Sequence, residues 1–291
     1  MVNVGIIGGG FVGTATWYLC NREQPKTIVK IADKDKSRQV PVNTSIASLM
    51  ESDVVFIAVP TPLSIISNTL SVAIVDNVLT ELYTLAERQC TRLHVVLRST
   101  VPVGSTTQFH HRFHEYLDLA FMPEFLTEAN WKQDVDNATV LPIGFAGPHF
   151  STLLQECFPT KQLLVLETPE HAEFLKLARN CTLATRVSWA NELCCMFLNM
   201  VPTSRTCEDW TKFVKTLCLD PRIGTWGWQV PGPDGLCGFG KSCLPKDTAH
   251  MLTAASQHDV CIPVLNAVVQ RNADIDRPEH DWTQDSRCWG V

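Results

Sequence analysis

VGIIGGGFVG, Val4 to Gly13, is the stretch whose reading decides the fold. A short apolar run ends in three glycines, and a further glycine follows as a second apolar segment begins, which is the strand, tight turn and helix of a dinucleotide-binding unit. Gly8 allows the turn, Gly10 lets a pyrophosphate approach the backbone, and Gly13 lets helix and strand pack closely. The helix N-terminus supplies N–H groups and positive potential. Phe11 and Val12, between the last two glycines, belong to the same cofactor contact. About twenty residues further on, the run TIVKIAD ends in Asp33, whose carboxylate suits both ribose hydroxyls and repels a 2′-phosphate. The cofactor expected is therefore NAD rather than NADP.

Outward from this turn, apolar runs alternate with amphipathic segments: FVGTATWYLC, SIASLM, DVVFIAVP, SVAIVDNVLTELYTLAER, LHVVLRST and GSTTQFHHRFHEY. Strand and helix in turn predict an α/β fold with a doubly wound, parallel, Rossmann-type sheet. From about Glu170 the pattern changes. Residues 171–199 contain neither proline nor glycine, and Phe174, Leu177, Cys181, Ala184, Val187 and Trp189 recur near helical spacing, so one long helix is expected, with Pro169 in its first turn. A second helical stretch (CEDWTKFVKTLCL), a Gly/Pro-rich loop over residues 220–240 and helices starting near Pro245 and Pro263 complete a helical second half. The expected organisation is a NAD-binding domain over residues 1–168 and a helical domain over 169–291.

The chain has 291 residues, 45% hydrophobic and 19% charged, as in ordinary globular proteins. Its net charge of −6, without a long basic run, argues against nucleic acid as a partner. With no stretch of membrane-spanning length and no leader-like N-terminus, the expectation is a soluble cytoplasmic protein. The 12 cysteines form no C-x-x-C pair and no zinc-like grouping. Cys20, Cys90, Cys181, Cys194 and Cys195 fall in helical stretches, where a buried thiol behaves as a small apolar group.

Cys243 differs from these. It lies between the glycines of GFGKSCLPKD and Pro245, which reads as the first helical residue with Leu244 as its cap. A sulfur just outside a helix N-terminus is favoured as thiolate, with Lys246 adding positive charge. A small residue filling a turn is the other reading. On the long helix, Lys176 and Asn180 share a face, as an oxyanion holder or as an ordinary solvated face.

VFIAVPTP (55–62), LRSTVPVGST (97–106), MPEFLTE (122–128), EFLKLARNCTLATRVSWANEL (173–193), DPRIG (220–224) and GFGKSCLPKD (238–247) together resemble the nucleotide-sugar dehydrogenases of the UDP-glucose/GDP-mannose dehydrogenase family, most of all its UDP-glucose 6-dehydrogenases. The motifs occur in the family's order as far as about Asp274. The resemblance implies oxidation of a UDP-sugar C6 alcohol to the carboxylate with two NAD, giving UDP-glucuronate. Cys243 would be the nucleophile, carrying the aldehyde as a thiohemiacetal and then a thioester. It further implies that Lys176 and Asn180 stabilise the oxyanion, that Asp247 transfers a proton through an ordered water, and that Glu124 assists thioester hydrolysis. Thr100 and Glu128 match residues lining the cofactor. Glu124, Phe125, Leu126, Lys176, Asn180, Arg222 and Gly240 match residues of the sugar-nucleotide site. No metal is implied, and the long helix is a homodimerisation element in the family.

The chain departs from the pattern at Lys241, where the family has glycine, and at Arg98, where it commonly has lysine. Family members also continue into a second doubly wound domain, so the chain reads as a short form. Trp226 and Trp228 are either stacking surfaces for the nucleotide or ordinary packing. His110 and His114 have a spacing zinc can use but no evident third ligand. The alternatives to UDP-glucose oxidation are a GDP-mannose or UDP-N-acetyl-hexosamine dehydrogenase, a non-catalytic NAD-binding subunit of a full-length dehydrogenase, and a two-electron 3-hydroxyacid dehydrogenase that needs no thiol.

Overall fold

β1 (Asn3–Ile7) is buried along almost its whole length, because the sheet it belongs to is covered on both faces. The structure, a computed structural model, describes residues 2–203, 206–284 and 289–290. After β1 come α1 (Phe11–Glu23), β2 (Ile28–Ala32), β3 (Val54–Ile57), the two-residue β4 (Leu63–Ser64), α2 (Ala73–Gln89), β5 (Leu93–Leu97), α3 (Ser105–Phe113) and β6 (Leu117–Phe121). They are followed by α4 (Trp131–Asn137), β7 (Val140–Phe145), α5 (Ser151–Cys157), β8 (Gln162–Val165), α6 (Pro169–Met200), α7 (Cys207–Leu217), α8 (Cys243–Gln257), α9 (Pro263–Arg271) and β9 (Trp289–Gly290). The chain divides into two compact units, residues 1–61 with 71–176, and residues 62–70 with 177–291.

In the first unit a seven-stranded sheet runs in the order β2-β1-β3-β5-β6-β7-β8. Its pleat sorts side chains alternately. In β3, Val54 and Phe56 face one core with Val4, Ile6 and Leu19, while Val55 and Ile57 face the other with Leu79, Leu82 and Phe109. α2 shows the matching helical pattern, burying Val75, Val78, Leu79, Leu82 and Ala86. The chain leaves β1 toward β2 on one side and returns to β3 on the other, so strand order reverses at the C-terminal ends of β1 and β3, where open α/β sheets bind ligands.

Two expectations need correction here. SIASLM forms only a single tight turn at Ile46–Leu49, held by the reciprocal Ser45 and Ser48 bonds of a capping box. The sheet also contains one antiparallel pair, β6 with β7. The segment between them holds only the seven-residue α4, which packs on α1, so β7 enters reversed, and β8 then pairs parallel to it. The N-cap of α3 is Gly104, at φ 90°, which has no side chain to cap the helix. Its N-terminus is instead closed by Glu173 of α6, which accepts from Gly104 N–H (2.6 Å), Thr106 N–H (2.8 Å) and Thr106 Oγ1 (2.6 Å). Burial pushes the Glu173 carboxyl up to about 7 against the pull of these donors.

The second unit is mainly helical, apart from the short parallel pair of β4 with β9. Along α6, Ala184, Ala190 and Cys194 are buried, whereas Trp189 of the apolar stripe is 48% exposed. Trp210 of α7 packs against Cys194 and Ala190 with Trp228, and its Nε1 donates to the Trp228 carbonyl at 2.9 Å. Thr206 and Asp209 form a reciprocal capping box that starts α7. Of the cysteines read as small core residues, Cys20 and Cys194 are buried, but Cys90 and Cys195 are exposed. Cys90 is the left-handed C-cap of α2 rather than an interior residue. No disulfide forms among the described residues, and no helix among them is long and apolar enough to cross a membrane.

Candidate active site

The glycine turn is shaped by backbone crowding. Gly8 has φ +99°, and a Cβ there would lie 2.4 Å from the Ala58 carbonyl oxygen that follows β3. A Cβ on Gly13 would lie 1.7 Å from Gly8 O, so only glycine lets α1 start this close to β1. Gly10 is the opposite case, with nothing within 4 Å of where its side chain would be. It is the N-cap of α1 and supplies no capping side chain, so the first-turn N–H groups at Phe11, Val12 and Gly13 face an open cradle. An anionic pyrophosphate suits that cradle, and Asp33 stands at the end of the neighbouring β2. Asp33 also braces the turn, accepting from Gly9 N–H at 2.6 Å and Asp35 N–H at 2.7 Å. Thr100 is half-buried, its carbonyl accepting from Thr61 Oγ1 at 2.6 Å, and Glu128 is exposed beyond β6. These residues fit NAD.

Also in the first unit, Glu124 and Lys176 meet in a buried ion pair, 6% and 3% exposed. Lys176 Nζ lies 2.5 Å from Glu124 Oε1 and donates to the Glu124 carbonyl at 2.7 Å, while Leu126 N–H donates to Oε2 at 2.9 Å. Burial pushes the Glu124 carboxyl up, but the Lys176 ammonium, the Leu126 N–H and the Arg98 guanidinium outweigh it and hold the group below the ordinary carboxylate range. The residue expected to hold an oxyanion and the residue expected to act as base are thus tied to each other, 52 residues apart in sequence.

In the second unit Asp247 is fully buried, taking Lys246 Nζ on Oδ1 at 2.5 Å and Asn180 Nδ2 on Oδ2 at 2.6 Å. Cys181, beside it, has a thiol pushed up to about 12 by burial and by the Asp247 charge, which keeps it inert at neutral pH. Cys243 is exposed, one helical turn before Asp247, and it is the first residue of α8. This corrects the expected helix start. The N-cap is Ser242, without a side-chain cap bond, and Pro245 sits inside the first turn. Proline is accommodated there because the first four N–H groups of a helix lack intrahelical acceptors anyway. The uncapped helix end offers its positive potential to an anionic sulfur at Cys243.

The loop that presents Cys243 is held by residues the sequence reading did not find. Gly238 has φ +65°, and Asn272 grips the adjacent peptide, Oδ1 accepting from Phe239 N–H (2.8 Å) and Nδ2 donating to Phe239 O (2.9 Å). Arg277, 3% exposed, donates to Cys237 O at 2.8 Å and pairs with Asp234 and Asp281. Gly240 leaves room for it, since a Cβ there would be 2.2 Å from Arg277 Nη1. No local signal marks Asn272 or Arg277, because each acts across more than 30 residues. Lys241 adopts φ +58°, the left-handed region that favours glycine.

Arg222 is exposed and paired with its neighbour Asp220, at 2.6 Å between Nη2 and Oδ2. It borders a groove of about 800 Å³ between the middle of α6 and the start of α9. Of the two candidate stacking rings, Trp228 is core, donating to Gly224 O at 3.0 Å beneath the Arg186 guanidinium, and Trp226 is 44% exposed. The His110 and His114 rings are 6.0 Å apart, and no group of three metal-ligating side chains occurs among the described residues.

Residues 24–161 match the NAD binding domain of the UDP-glucose/GDP-mannose dehydrogenase family, and residues 170–274 match its central domain. The chain is 27% identical over 305 residues to UDP-glucose 6-dehydrogenase TuaD of Bacillus subtilis (strain 168), covering 94% of this chain and 63% of TuaD. It is 28% identical over 238 residues to GDP-mannose 6-dehydrogenase of Pseudomonas aeruginosa, covering 78% of this chain and 52% of that protein. The chain therefore spans about half to two thirds of the length of these relatives. Among solved structures, a UDP-glucose dehydrogenase from the hyperthermophilic archaeon Pyrobaculum islandicum shares the fold with a TM-score of 0.78 at 22% identity, over 93% of this chain and 67% of that one.

Proposed function

The chain belongs to the UDP-glucose/GDP-mannose dehydrogenase family, and from that premise we propose that it oxidises the C6 alcohol of UDP-glucose to the carboxylate of UDP-glucuronate through a thioester on Cys243. NAD is the cofactor, and when bound at the glycine turn it accepts a hydride in each of the two oxidations. One water is consumed for every two NAD. In this reading the Cys243 thiolate adds to the C6 aldehyde left by the first oxidation, forming a C–S bond, and the aldehyde oxygen becomes the hydroxyl of a thiohemiacetal. The second oxidation removes the C6 hydrogen as hydride and the hydroxyl proton, leaving the thioester. Glu124 takes a proton from the attacking water, the C–S bond breaks, and the thiolate returns with release of the acid. Lys176 and Asn180 hold the developing oxyanion by charge and hydrogen bond, which requires Lys176 to leave Glu124 and Asn180 to share its amide with Asp247.

The observation that carries this reading is the exposed Cys243 at the uncapped start of α8, one turn before the fully buried Asp247. The sugar nucleotide contacts assigned to Phe125, Leu126, Arg222 and Gly240, and a homodimer formed on the exposed Trp189, Met196 and Met200 of α6, belong to the same proposal.

The test is the NADH formed per sugar nucleotide consumed, with UDP-glucose and GDP-mannose offered separately. Two NADH per UDP-glucose, with acid formation lost in Cys243→Ser, is the expected result. Two NADH from GDP-mannose alone would move the substrate, full activity of the serine variant would remove the thioester, and NAD binding without turnover of either sugar would leave a non-catalytic subunit.

A further inference from the structure

Arg98, the residue after β5, is a buried cation, only 6% exposed, with no carboxylate in ion-pair contact among the described residues. β5 and β6 lie side by side with Leu97 opposite Phe121, which sets Arg98 next to Met122, two residues before Glu124. Its Nη1 donates to the Met122 thioether at 3.2 Å, and its buried Nε has no hydrogen-bond partner among the described residues. A thioether is a weak acceptor and leaves the guanidinium charge unneutralised. Burial of a full charge under these conditions is unfavourable, so a residue that serves only packing would be apolar here.

The carboxylate nearest in function is Glu124. Its Oε1 is taken by Lys176 and its Oε2 by Leu126 N–H. The groups facing it are Lys176 from α6, the Leu126 N–H on its own segment, and Arg98 from the end of β5. Cys20 of α1 also faces Arg98, and burial keeps that thiol neutral. Once Lys176 turns to a reacting oxygen, a buried carboxylate left without a cation takes up a proton and is lost as a base. We propose that Arg98 is a positioning residue, the second counter-ion of Glu124, which keeps this carboxylate an anion while Lys176 is engaged at the substrate. The role rests on the assignment of Lys176 and Glu124 given above. Arginine suits it better than lysine, because a guanidinium keeps its proton in a buried site where an ammonium readily loses it.

The experiment reads Glu124 directly, without substrate, by carboxyl ¹³C NMR titration, with the resonance assigned by its absence in Glu124→Gln. In Lys176→Met, with Arg98 in place, Glu124 is expected to remain ionised at neutral pH. Adding Arg98→Met should raise its titration midpoint by about one pH unit or more, and Arg98→Lys in the same background should restore most of the original midpoint. A protonated Glu124 at neutral pH in Lys176→Met, or a midpoint indifferent to the Arg98 charge, overturns the proposal. If the Arg98→Met chain does not fold, the Lys176→Met measurement decides by itself. Because no turnover is involved, failure of the dehydrogenase reading would appear separately, in the NADH assay.

Discussion

The glycine turn of the first unit and the thiol-bearing loop of the second achieve similar ends by different means. Each sets an uncapped helix N-terminus at a place suited to an anion, α1 in one case and α8 in the other. The turn is enforced locally, since Gly8 and Gly13 answer to backbone atoms 1.7 to 2.4 Å from where a Cβ would be. The loop is enforced from a distance, by Asn272 gripping Phe239 and Arg277 holding Cys237 O. It even tolerates a lysine at φ +58°. Steric exclusion by backbone cannot be compensated, whereas a loop fastened by several side-chain bonds can absorb a residue of the wrong type.

That difference is open to direct attack, beginning with the change expected to do most. Gly13→Ala should destabilise the chain by about 3 kcal/mol or more, because the backbone must move to admit the methyl group, and NAD binding should be lost with it. Thermal unfolding and NAD titration measure both. Gly10→Ala is the control: with open space and φ −72° at that position, stability should change by less than about 0.5 kcal/mol while NAD affinity still falls. Equal destabilisation by the two substitutions would refute a turn set by backbone crowding.

The next effect belongs to Glu173, which closes α3 in the first unit. Its carboxyl is raised in the folded chain from an ordinary 4.5 to about 7. Below the ordinary value it is protonated in both states and carries no penalty. As pH rises toward 7 the unfolded chain ionises first, so folding should lose up to about 3 kcal/mol. Urea unfolding at pH 5 and pH 8 should show this loss in the wild type and not in Glu173→Gln. A wild type whose stability relative to Glu173→Gln is flat across that range would show that the Gly104 and Thr106 donors fully offset burial.

In the second unit, Asn272→Ala leaves the Phe239 N–H and carbonyl without their partners and should cost about 2 kcal/mol, with activity falling as the Cys243 loop loosens. The smallest expected effect has the opposite sign. Lys241→Gly relieves a left-handed lysine and should stabilise by about 0.5 to 1 kcal/mol in denaturant unfolding. Destabilisation instead would show that the lysine side chain contributes more than its backbone conformation costs.

Much of the fold was legible in the sequence because its signals are local. The β1–α1–β2 unit and Asp33 follow from apolar periodicity and glycine spacing, and α6 from an unbroken run whose proline falls at the first residue. The reversal of β7 was not legible, because strand direction depends on where α4 docks on α1 rather than on the pattern of either strand. The start of α8 was misplaced by two residues, because proline is acceptable throughout the first turn and does not single out its first position.

The candidate site divides in the same way. Local context singled out Cys243, Lys176 and Asn180, and the family resemblance added Asp247 and Glu124, but the present pairings join residues 52 and 67 positions apart. By itself the sequence determined a NAD-binding α/β unit with a long helix after it and membership of a nucleotide-sugar dehydrogenase family, since periodicity, glycine sterics and motif order are properties of neighbouring residues. Only the tertiary structure decided that Lys176 closes on Glu124, that Asp247 is shared by Lys246 and Asn180, and that Arg98 is buried with no carboxylate partner among the described residues. Burial and pairing are set by which distant segments exclude water from a side chain, and no local stretch of sequence carries that information.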